Sequence, residues 1–343
     1  MRLSHQLYQA VEAIWWGKKK PPLLLRGLSH VYKLASNYDQ KRRVQKSIEA
    51  PLPVISIGNI TVGGSGKTPF TLWLANELKK CHFKPIILCR GDGAKHTTPQ
   101  LLDDDSLAKD VGDEAVLLYR MSRCPVISAK DRLAASKIAA EYGDVMILDD
   151  GFQYRQLQRC CDILLIADAG MGNDYLLPAG PLREPMSALN RAHIVVRTGS
   201  SHKQASLPDS PPPTLATFKE WQWHTFSKPL HDWNQCAQIR PESVIAVSAI
   251  ARPHRFTKSL QDIGIRIEAS HFFPDHYAFT VTDMSDLWQQ GSAIAVTAKD
   301  AVKLLSIWPK NMPLWVLEQQ FEAQDGLFDT ILSHLPCVEK HSD

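Results

Sequence analysis

Short apolar runs alternate with stretches of helical periodicity along most of the chain. Runs such as Val54–Gly58, Pro85–Leu88 and Val145–Leu148 have the length of buried strands, and helix-like stretches such as Glu114–Met121 and Arg132–Tyr142 lie between them. Strands that alternate with helices in this way predict βαβ units. We therefore expect an α/β fold of the P-loop NTPase type, with a mainly parallel sheet and helices on both faces.

The pattern stops at residues 201–214, which are polar, proline-rich and without period, and it resumes further on. Such a stretch is typical of a linker or a long surface loop. Apolar runs then return at Ser243–Val247, Ala293–Thr297 and Leu314–Leu317. We predict three parts: an N-terminal segment 1–45, a core domain 46–230 that contains the proline-rich loop, and a smaller α/β domain 231–343.

The first strand leads into a glycine-rich turn and then a helix, which is the pattern of a phosphate-binding loop. Glycines can adopt positive φ and expose successive N–H groups to an anion at the helix N-terminus. Lys67 is expected to reach the β- and γ-phosphates and the Thr68 hydroxyl to hold Mg²⁺. The first position of the usual motif is Thr61 here instead of glycine. The predicted nucleotide-binding residues are Thr61, Val62, Gly63, Gly64, Ser65, Gly66, Lys67 and Thr68.

A second nucleotide-binding signal is the strand Val145–Leu148, which ends in the carboxylates Asp149 and Asp150. One of them is expected to join the Mg²⁺ shell beside the phosphate loop. An Asp at a strand end is also a common turn residue, so the phosphate loop upstream gives this signal its weight. The chain lacks the N-K-x-D tetrapeptide of guanine-specific enzymes, which favours ATP over GTP.

Charge and cysteine content narrow the possible functions and the cellular compartment. A net charge of +3 over 343 residues, without a stripe of basic and aromatic residues, argues against nucleic-acid binding. The seven cysteines form no C-x-x-C pair, which suggests free thiols in a reducing cytosol. Adjacent Cys160 and Cys161 precede an apolar run and are interpreted as small residues at the edge of the core.

The N-terminus combines apolar residues at helical spacing (Leu3, Leu7, Val11, Ile14, Trp15) with the basic run Lys18–Lys20. No apolar run reaches the length of about 18 residues that a membrane span needs. Indole rings beside lysines suit an interfacial helix on an anionic leaflet. A helix packed on the protein's own flank is an equal alternative.

A series of motifs in consistent order resembles the tetraacyldisaccharide 4'-kinase (lipid A 4'-kinase) family over nearly the whole chain. Together they are highly specific, although each short one alone is weak. The motifs are Gly58–Pro69, Arg90–Gly93, Gly112–Glu114, Leu148–Gln153, Leu177–Glu184, Ile250–Pro253, Pro274–His276 and Thr297–Ala301.

This resemblance implies transfer of the ATP γ-phosphate to the 4'-hydroxyl of a tetraacyldisaccharide 1-phosphate lipid A precursor, giving the 1,4'-bisphosphate. It implies work at the cytoplasmic face of the bacterial inner membrane, by peripheral or N-terminal association and without an obligate protein partner. Asp113 is the implied general base, and His276 from the C-terminal domain is its partner. Lys67, Arg183 and Glu184 are further catalytic candidates. Thr68, Asp149, Asp150 and Glu114 are the implied metal candidates.

Four positions depart from the family pattern. Asp92 replaces the usual Tyr of R-G-Y-G, and Tyr154 replaces the His that commonly follows D-G-F-Q. Ala298 interrupts T-E-K-D, and Ala249 precedes I-A-R-P in place of Gly. None removes a candidate catalytic group, but the charge of Asp92 could change acceptor preference.

Two other functions compete with the kinase interpretation. A P-loop kinase or ligase with a soluble acceptor would need no detergent or lipid. A membrane-associated switch ATPase would hydrolyse nucleotide without an acceptor and change its assembly state. Neither explains the segment Leu177–Glu184 or the pair of Asp113 and His276 as economically.

Overall fold

The computed structural model describes residues 10–17, 20–94, 96–167, 170–199, 220–227, 229–237, 239–250, 253–275, 277–289 and 292–336. The predicted proline-rich loop 201–214 and the predicted partner His276 lie outside these ranges.

The helices are α1 (Leu23–Gln45), α2 (Lys67–Lys80), α3 (Ala108–Val111), α4 (Asp113–Ser122), α5 (Arg132–Ala139), α6 (Pro253–Asp262), α7 (Val281–Gln289), α8 (Ala298–Leu304) and α9 (Leu327–Leu332), with a 3₁₀ helix at Met186–Arg191. The strands are β1 (Val54–Gly58), β2 (Pro85–Cys89), β3 (Gln100–Leu101), β4 (Val126–Ser128), β5 (Val145–Leu148), β6 (Cys161–Ala167), β7 (Ile194–Gly199), β8 (Glu220–Ser227), β9 (His231–Asp232), β10 (Ser243–Ser248), β11 (Arg266–Phe272), β12 (Ile294–Thr297), β13 (Trp315–Leu317) and β14 (Gln319–Ala323).

The chain divides into two compact units, which differ from the contiguous domains that the sequence predicts. The phosphate-loop unit comprises residues 1–87, 136–224 and 322–343, and the second unit comprises 88–135 and 225–321. Residues 88–135, including Asp113, thus group with the C-terminal part of the chain. The sequence does not reveal the boundaries near residues 87 and 135, because strands and helices alternate in the same way on both sides of them.

A parallel sheet forms the centre of the phosphate-loop unit, as predicted. Six of the nine strands in this sheet run in the order β8-β7-β6-β1-β5-β2, and β1 pairs in parallel with both β5 and β6. Every residue of β1 and β5 is buried, which explains their uninterrupted apolar sequences. Because β1 and β5 are parallel neighbours, the segments that follow them emerge at the same edge of the sheet.

The second unit contains a smaller α/β sheet in the order β11-β10-β12-β13-β9. The pairs among β10, β11, β12 and β13 are parallel, and the short β9 pairs antiparallel with β13. Alternate residues of β10 enter different cores: Ile245 and Val247 pack with α7 and α8, whereas Val244 and Ala246 pack with α6. Helices therefore cover both faces of this smaller sheet, which has the α/β character that the sequence predicts.

Helix α1 was not predicted, because its apolar residues face solvent instead of a core. Its inner side is polar: the Ser29 hydroxyl donates to the Leu176 carbonyl at 2.6 Å, and the Tyr32 hydroxyl donates to the Arg183 carbonyl at 3.0 Å. Its outer side carries exposed leucines, including Leu24 (75% exposed) and Leu34 (72% exposed). No helix in the described part of the chain is long and apolar enough to cross a bilayer.

The segment before α1 packs on the protein itself. Residues 10–15 are helical, and the Trp15 indole N–H donates to the Pro178 carbonyl at 2.9 Å. Asn173 donates to the Ile14 carbonyl at 3.0 Å. For Trp15 the structure therefore favours the alternative of packing on the protein's own flank. Leu3, Leu7, Lys18 and Lys19 lie outside the described residues.

Candidate active site

The phosphate loop follows β1 and ends where α2 begins at Lys67. Gly63 has φ of +111° and Gly66 has φ of +80°, conformations that favour glycine. Gly64 does not share this geometry, but it faces open space, as Gly63 does. The Thr198 hydroxyl donates to the Ser65 carbonyl at 2.9 Å and fixes the C-terminal half of the loop.

The other half of the loop is held by the segment Leu177–Glu184. Thr61 forms an antiparallel bridge with Leu182, and the Val62 N–H donates to the Pro181 carbonyl at 2.8 Å. The Arg183 N–H donates to the Ile60 carbonyl at 2.7 Å. This family motif therefore lies beside the phosphate loop and supports its backbone.

Lys67 lies at the centre of a polar cluster. Its Nζ is 3.4 Å from Oδ1 of Asp150 and 3.4 Å from Oδ1 of Asn59. Arg183 contacts the same carboxylate, with Nη1 at 3.4 Å from Oδ2 of Asp150. The structure thus brings together three residues predicted from separate motifs. Two cations beside one carboxylate leave a surplus of positive charge suited to a polyphosphate.

The two consecutive carboxylates have different environments. Asp149 is buried, and its Oδ1 accepts a hydrogen bond of 2.8 Å from the Thr71 hydroxyl. Asp150 adopts φ of +50°, which directs the chain sharply after β5. Thr68 is buried in the first turn of α2, on the same helix as Thr71. These groups supply only oxygen atoms, the donors that Mg²⁺ prefers.

Tyr32 reaches this region from α1. Burial raises the pKa of the Tyr32 hydroxyl, Arg183 opposes that rise, and the carboxylate of Glu184 adds to it. The hydroxyl therefore remains protonated and continues to donate to the Arg183 carbonyl at 3.0 Å.

Asp113 and Glu114 begin α4 in the second unit. Gly112 precedes them with φ of +96°, and a side chain there would meet the Asp92 carbonyl oxygen. Asp113 is buried, and its Oδ1 accepts from the Glu114 N–H at 2.9 Å. Asp113 is thus the first residue of α4, and its side chain is held at the helix N-terminus.

Glu114 forms an ion pair with Lys299 of α8. α8 itself is anchored by Asp300, which is fully buried, accepts from Thr297 and pairs with Lys303 at 2.7 Å. The Thr297–Ala301 motif therefore supports the helix start that carries Asp113 and Glu114. Since His276 lies outside the described residues, its pairing with Asp113 stays a prediction.

The comparisons with known proteins identify the family. Residues 22–336 match the family model of the tetraacyldisaccharide-1-P 4'-kinase. The chain belongs to this kinase family.

Similar proteins carry the same description. A tetraacyldisaccharide 4'-kinase of Coxiella burnetii (strain RSA 331 / Henzerling II) is 40% identical over 263 residues, 76% of this chain and 74% of that protein. One from Herminiimonas arsenicoxydans is 35% identical over 329 residues, 91% of each chain. The solved LpxK from Aquifex aeolicus in complex with ATP has a TM-score of 0.75 and 28% identity, covering 90% of this chain and 98% of that chain.

The structure locates the four residues that depart from the pattern of the tetraacyldisaccharide 4'-kinase family. Asp92 is exposed and pairs with Arg90 at 3.2 Å. Ala298 is the first residue of α8, and Ala249 is buried in the smaller core. Tyr154 offers its carbonyl to Arg159.

Several residues that contact the candidate groups were not assigned a role from the sequence, among them Asn59, Thr71, Gln153 and Arg191 in the phosphate-loop unit and Lys299 in the second unit. Asn59, Gln153 and Lys299 stand inside the family motifs, so the motifs themselves were the available signal. Gln153 donates to the Asn59 carbonyl at 2.7 Å and links the two motifs. Thr71 and Arg191 stand outside the motifs, and only the fold brings them to the site.

Proposed function

We propose that this chain transfers the γ-phosphate of ATP to the 4'-hydroxyl of a tetraacyldisaccharide 1-phosphate, giving the 1,4'-bisphosphate. One observation carries the proposal: a family match over residues 22–336 with the phosphate-loop lysine set between Asp150 and Asn59. The neighbouring Arg183 supplies a second cation at the same carboxylate.

ATP is the proposed donor, bound by residues Thr61–Thr68. The open space beside Gly63 and Gly64 and the start of α2 suit an anion near the positive end of the helix dipole. Lys67 would contact the β- and γ-phosphates. Arg183 would neutralise charge that develops on the transferred group.

Mg²⁺ is the proposed metal. Among the described residues no group of three or more His, Cys, Asp or Glu side chains could hold a metal ion by itself. Mg²⁺ with a nucleotide needs no such group, because one or two carboxylates and the phosphates complete its shell. Thr68, Asp149 and Asp150 are the proposed protein ligands. Bound Mg²⁺ would neutralise phosphate charge. We rank Glu114 after them because Lys299 already neutralises it.

Asp113 is the proposed general base for the acceptor hydroxyl. Its carboxylate is fixed by the Glu114 N–H, which orients the side chain before any acceptor binds. An Asp is a weak base at neutral pH, so His276 is proposed to accept or share the proton.

The outer face of α1 supports peripheral association with the membrane. Leu24, Val31, Leu34 and Tyr38 are all more than half exposed and lie on one side of the helix, whereas the buried contacts of Ser29 and Tyr32 lie on the other. Lys33, Lys41 and Arg42 are also exposed and could meet anionic headgroups.

A lipid acceptor makes such a surface necessary. Extracting an acyl chain costs about 0.8 kcal/mol for each CH₂ removed from the bilayer, so the enzyme must work at the membrane surface. ATP and the acceptor can then meet at the cytoplasmic face of the inner membrane, where we place this chain.

The test is transfer of labelled γ-phosphate to tetraacyldisaccharide 1-phosphate in mixed micelles, for the wild type, Lys67→Ala and Asp113→Ala. We expect labelled lipid from the wild type and a loss in both variants of at least about a hundredfold. Labelling of a soluble acceptor without micelles would favour the soluble-substrate alternative. ATP consumption without labelled lipid would favour the switch ATPase.

A further inference from the structure

Glu184 has both carboxylate oxygens engaged by a single residue, Arg191. Nη1 of Arg191 donates to Oε2 and Nη2 donates to Oε1, each at 2.7 Å. The pair is largely buried, with the Glu184 side chain 5% exposed and that of Arg191 20% exposed. A carboxylate held in this way is satisfied in charge and hydrogen bonding, and is poorly placed to exchange protons or bind a metal.

Arg191 is fixed by a second contact, with Phe152. Its guanidinium lies 3.9 Å from the centre of the Phe152 ring, and Nη2 also donates to the Phe152 carbonyl at 3.3 Å. Phe152 is fully buried and packs against Gly58 at the end of β1. The planar fork of Arg permits the bidentate bond and the stacking together, which the ammonium of Lys cannot reproduce.

The two anchors of Arg191 stand on either side of an active-site contact. Glu184 directly follows Arg183, and Phe152 is two residues beyond Asp150. Nη1 of Arg183 lies 3.4 Å from Oδ2 of Asp150, whose other oxygen is 3.4 Å from Nζ of Lys67. Arg191 therefore ties together the two backbone segments that present Arg183 and Asp150 to each other.

We propose that Arg191 is a positioning residue, which acts through Glu184 to hold the Arg183 guanidinium beside Asp150 and Lys67. This inference rests on the proposed function, because that function gives Arg183 its role at the transferred phosphoryl group. It also assigns Glu184 to the support of the site, in place of direct participation in the chemistry. A cation set in advance costs no reorganisation when charge develops on the phosphate.

The experiment is a double-mutant cycle of Arg191→Lys and Arg183→Gln, read as kcat and the KM for ATP in the micelle assay. Arg191→Lys keeps the charge and loses the fork. We expect kcat to fall about tenfold with the KM for ATP within about twofold of the wild type. The double variant should be no slower than Arg183→Gln alone, because both changes act on one guanidinium. Arg266→Lys, on the exposed edge strand β11, is the matched control and should retain wild-type kinetics.

Multiplicative losses in the double variant would overturn the proposal, as would wild-type kinetics for Arg191→Lys. If that variant does not fold, Glu184→Asp replaces it in the same cycle, since it keeps the charge and shortens the reach by one methylene. A crystal structure of the variant tests the geometry without an acceptor: the inference requires a longer Arg183–Asp150 distance, and an unchanged distance contradicts it. Such a displacement together with a wild type that labels no lipid would leave the positioning inference standing while the proposed function fails.

Discussion

Thr71 donates a hydrogen bond of 2.8 Å to Oδ1 of Asp149, and both side chains are buried. Thr71 stands on α2, one turn after Thr68, and Asp149 follows β5. The bond therefore joins the helix that begins at the phosphate loop to the strand end that carries both carboxylates. A buried carboxylate depends on such partners, because its charge is otherwise poorly solvated.

Replacing Thr71 with valine removes the hydroxyl and nearly conserves the shape. We expect Thr71→Val to lower the free energy of unfolding by about 1–3 kcal/mol, since a buried acceptor loses its donor. The rate of phosphate transfer should fall as well, because Asp149 is a proposed metal ligand. Urea unfolding and the Mg²⁺ concentration for half-maximal rate measure the two effects.

Thr71→Ser is the matched control, because it retains the hydroxyl and loses one methyl group. It should keep the Mg²⁺ dependence of the wild type. An equal change in Mg²⁺ dependence for the valine and serine variants would show that packing at Thr71, and not its hydrogen bond, sets the geometry of Asp149.

The phosphate loop allows a second prediction from three glycines. Gly63→Ala and Gly66→Ala place a side chain at φ of +111° and +80°, which costs about 1–3 kcal/mol of stability. Gly64→Ala avoids that strain, yet its methyl group projects into the open space beside the loop. We expect Gly64→Ala to unfold like the wild type and to bind ATP more weakly, as judged by thermal unfolding and by calorimetric titration with ATP. Equal destabilisation of all three variants would contradict this division.

The sequence predicts central strands of the phosphate-loop unit well, because burial on both faces of a parallel strand produces an uninterrupted apolar run. The strands β1, β2 and β5 lie where the apolar runs place them. Cys161, predicted at the edge of the core, is fully buried in β6. Helix α1 escaped prediction for the opposite reason. Its apolar residues face solvent, so periodicity alone does not distinguish its exposed side from a core-facing one.

Residues of the candidate site also divide into those that a local sequence motif marks and those that it does not. Lys67, Asp150 and Arg183 could be predicted because local motifs present them, and the fold then brings Lys67 and Arg183 each to 3.4 Å from Asp150. Arg191 could not be predicted: nothing in its neighbourhood marks it, and its partners Glu184 and Phe152 meet it only after the chain has folded. Tertiary ion pairs of this kind carry no local signal.

The two lysines of α8 should differ when each is replaced by methionine. Lys303 pairs with the fully buried Asp300, and both side chains are nearly inaccessible, so Lys303→Met should cost about 3–5 kcal/mol of stability. The pair of Lys299 and Glu114 is about one-third exposed, and its loss should cost no more than about 1 kcal/mol. Urea unfolding measures both variants.

When the rate is expressed per folded protein, Lys299→Met should lose more activity than Lys303→Met. Lys299→Met releases Glu114 beside the proposed base Asp113 and should lower kcat, while Lys299→Arg should restore most of it. Lys258→Met, an exposed lysine of α6, controls for the lost charge and should behave as the wild type. If the kcat of Lys299→Met equals that of Lys258→Met, the ion pair of Lys299 and Glu114 does not affect the rate of the chemical step.

The outer face of α1 permits a prediction on membrane binding that leaves the site untouched. Leu24 and Leu34 are 75% and 72% exposed, so the pair of changes Leu24→Glu and Leu34→Glu should leave thermal unfolding nearly unchanged. If this face enters the headgroup region, each buried leucine contributes about 1.5–3 kcal/mol to binding. The double variant should therefore bind vesicles containing phosphatidylglycerol at least about tenfold more weakly in a sedimentation assay.

A control variant and a comparison of micelles with vesicles test this membrane contact further. Asn37→Asp, at an exposed position of the same helix, adds negative charge without removing an apolar group and should reduce binding only slightly. Micelles present the acceptor without a bilayer, so transfer in micelles should suffer less than transfer in vesicles. Wild-type sedimentation of the double glutamate variant would exclude this face of α1 as the membrane contact and return attention to residues 1–20.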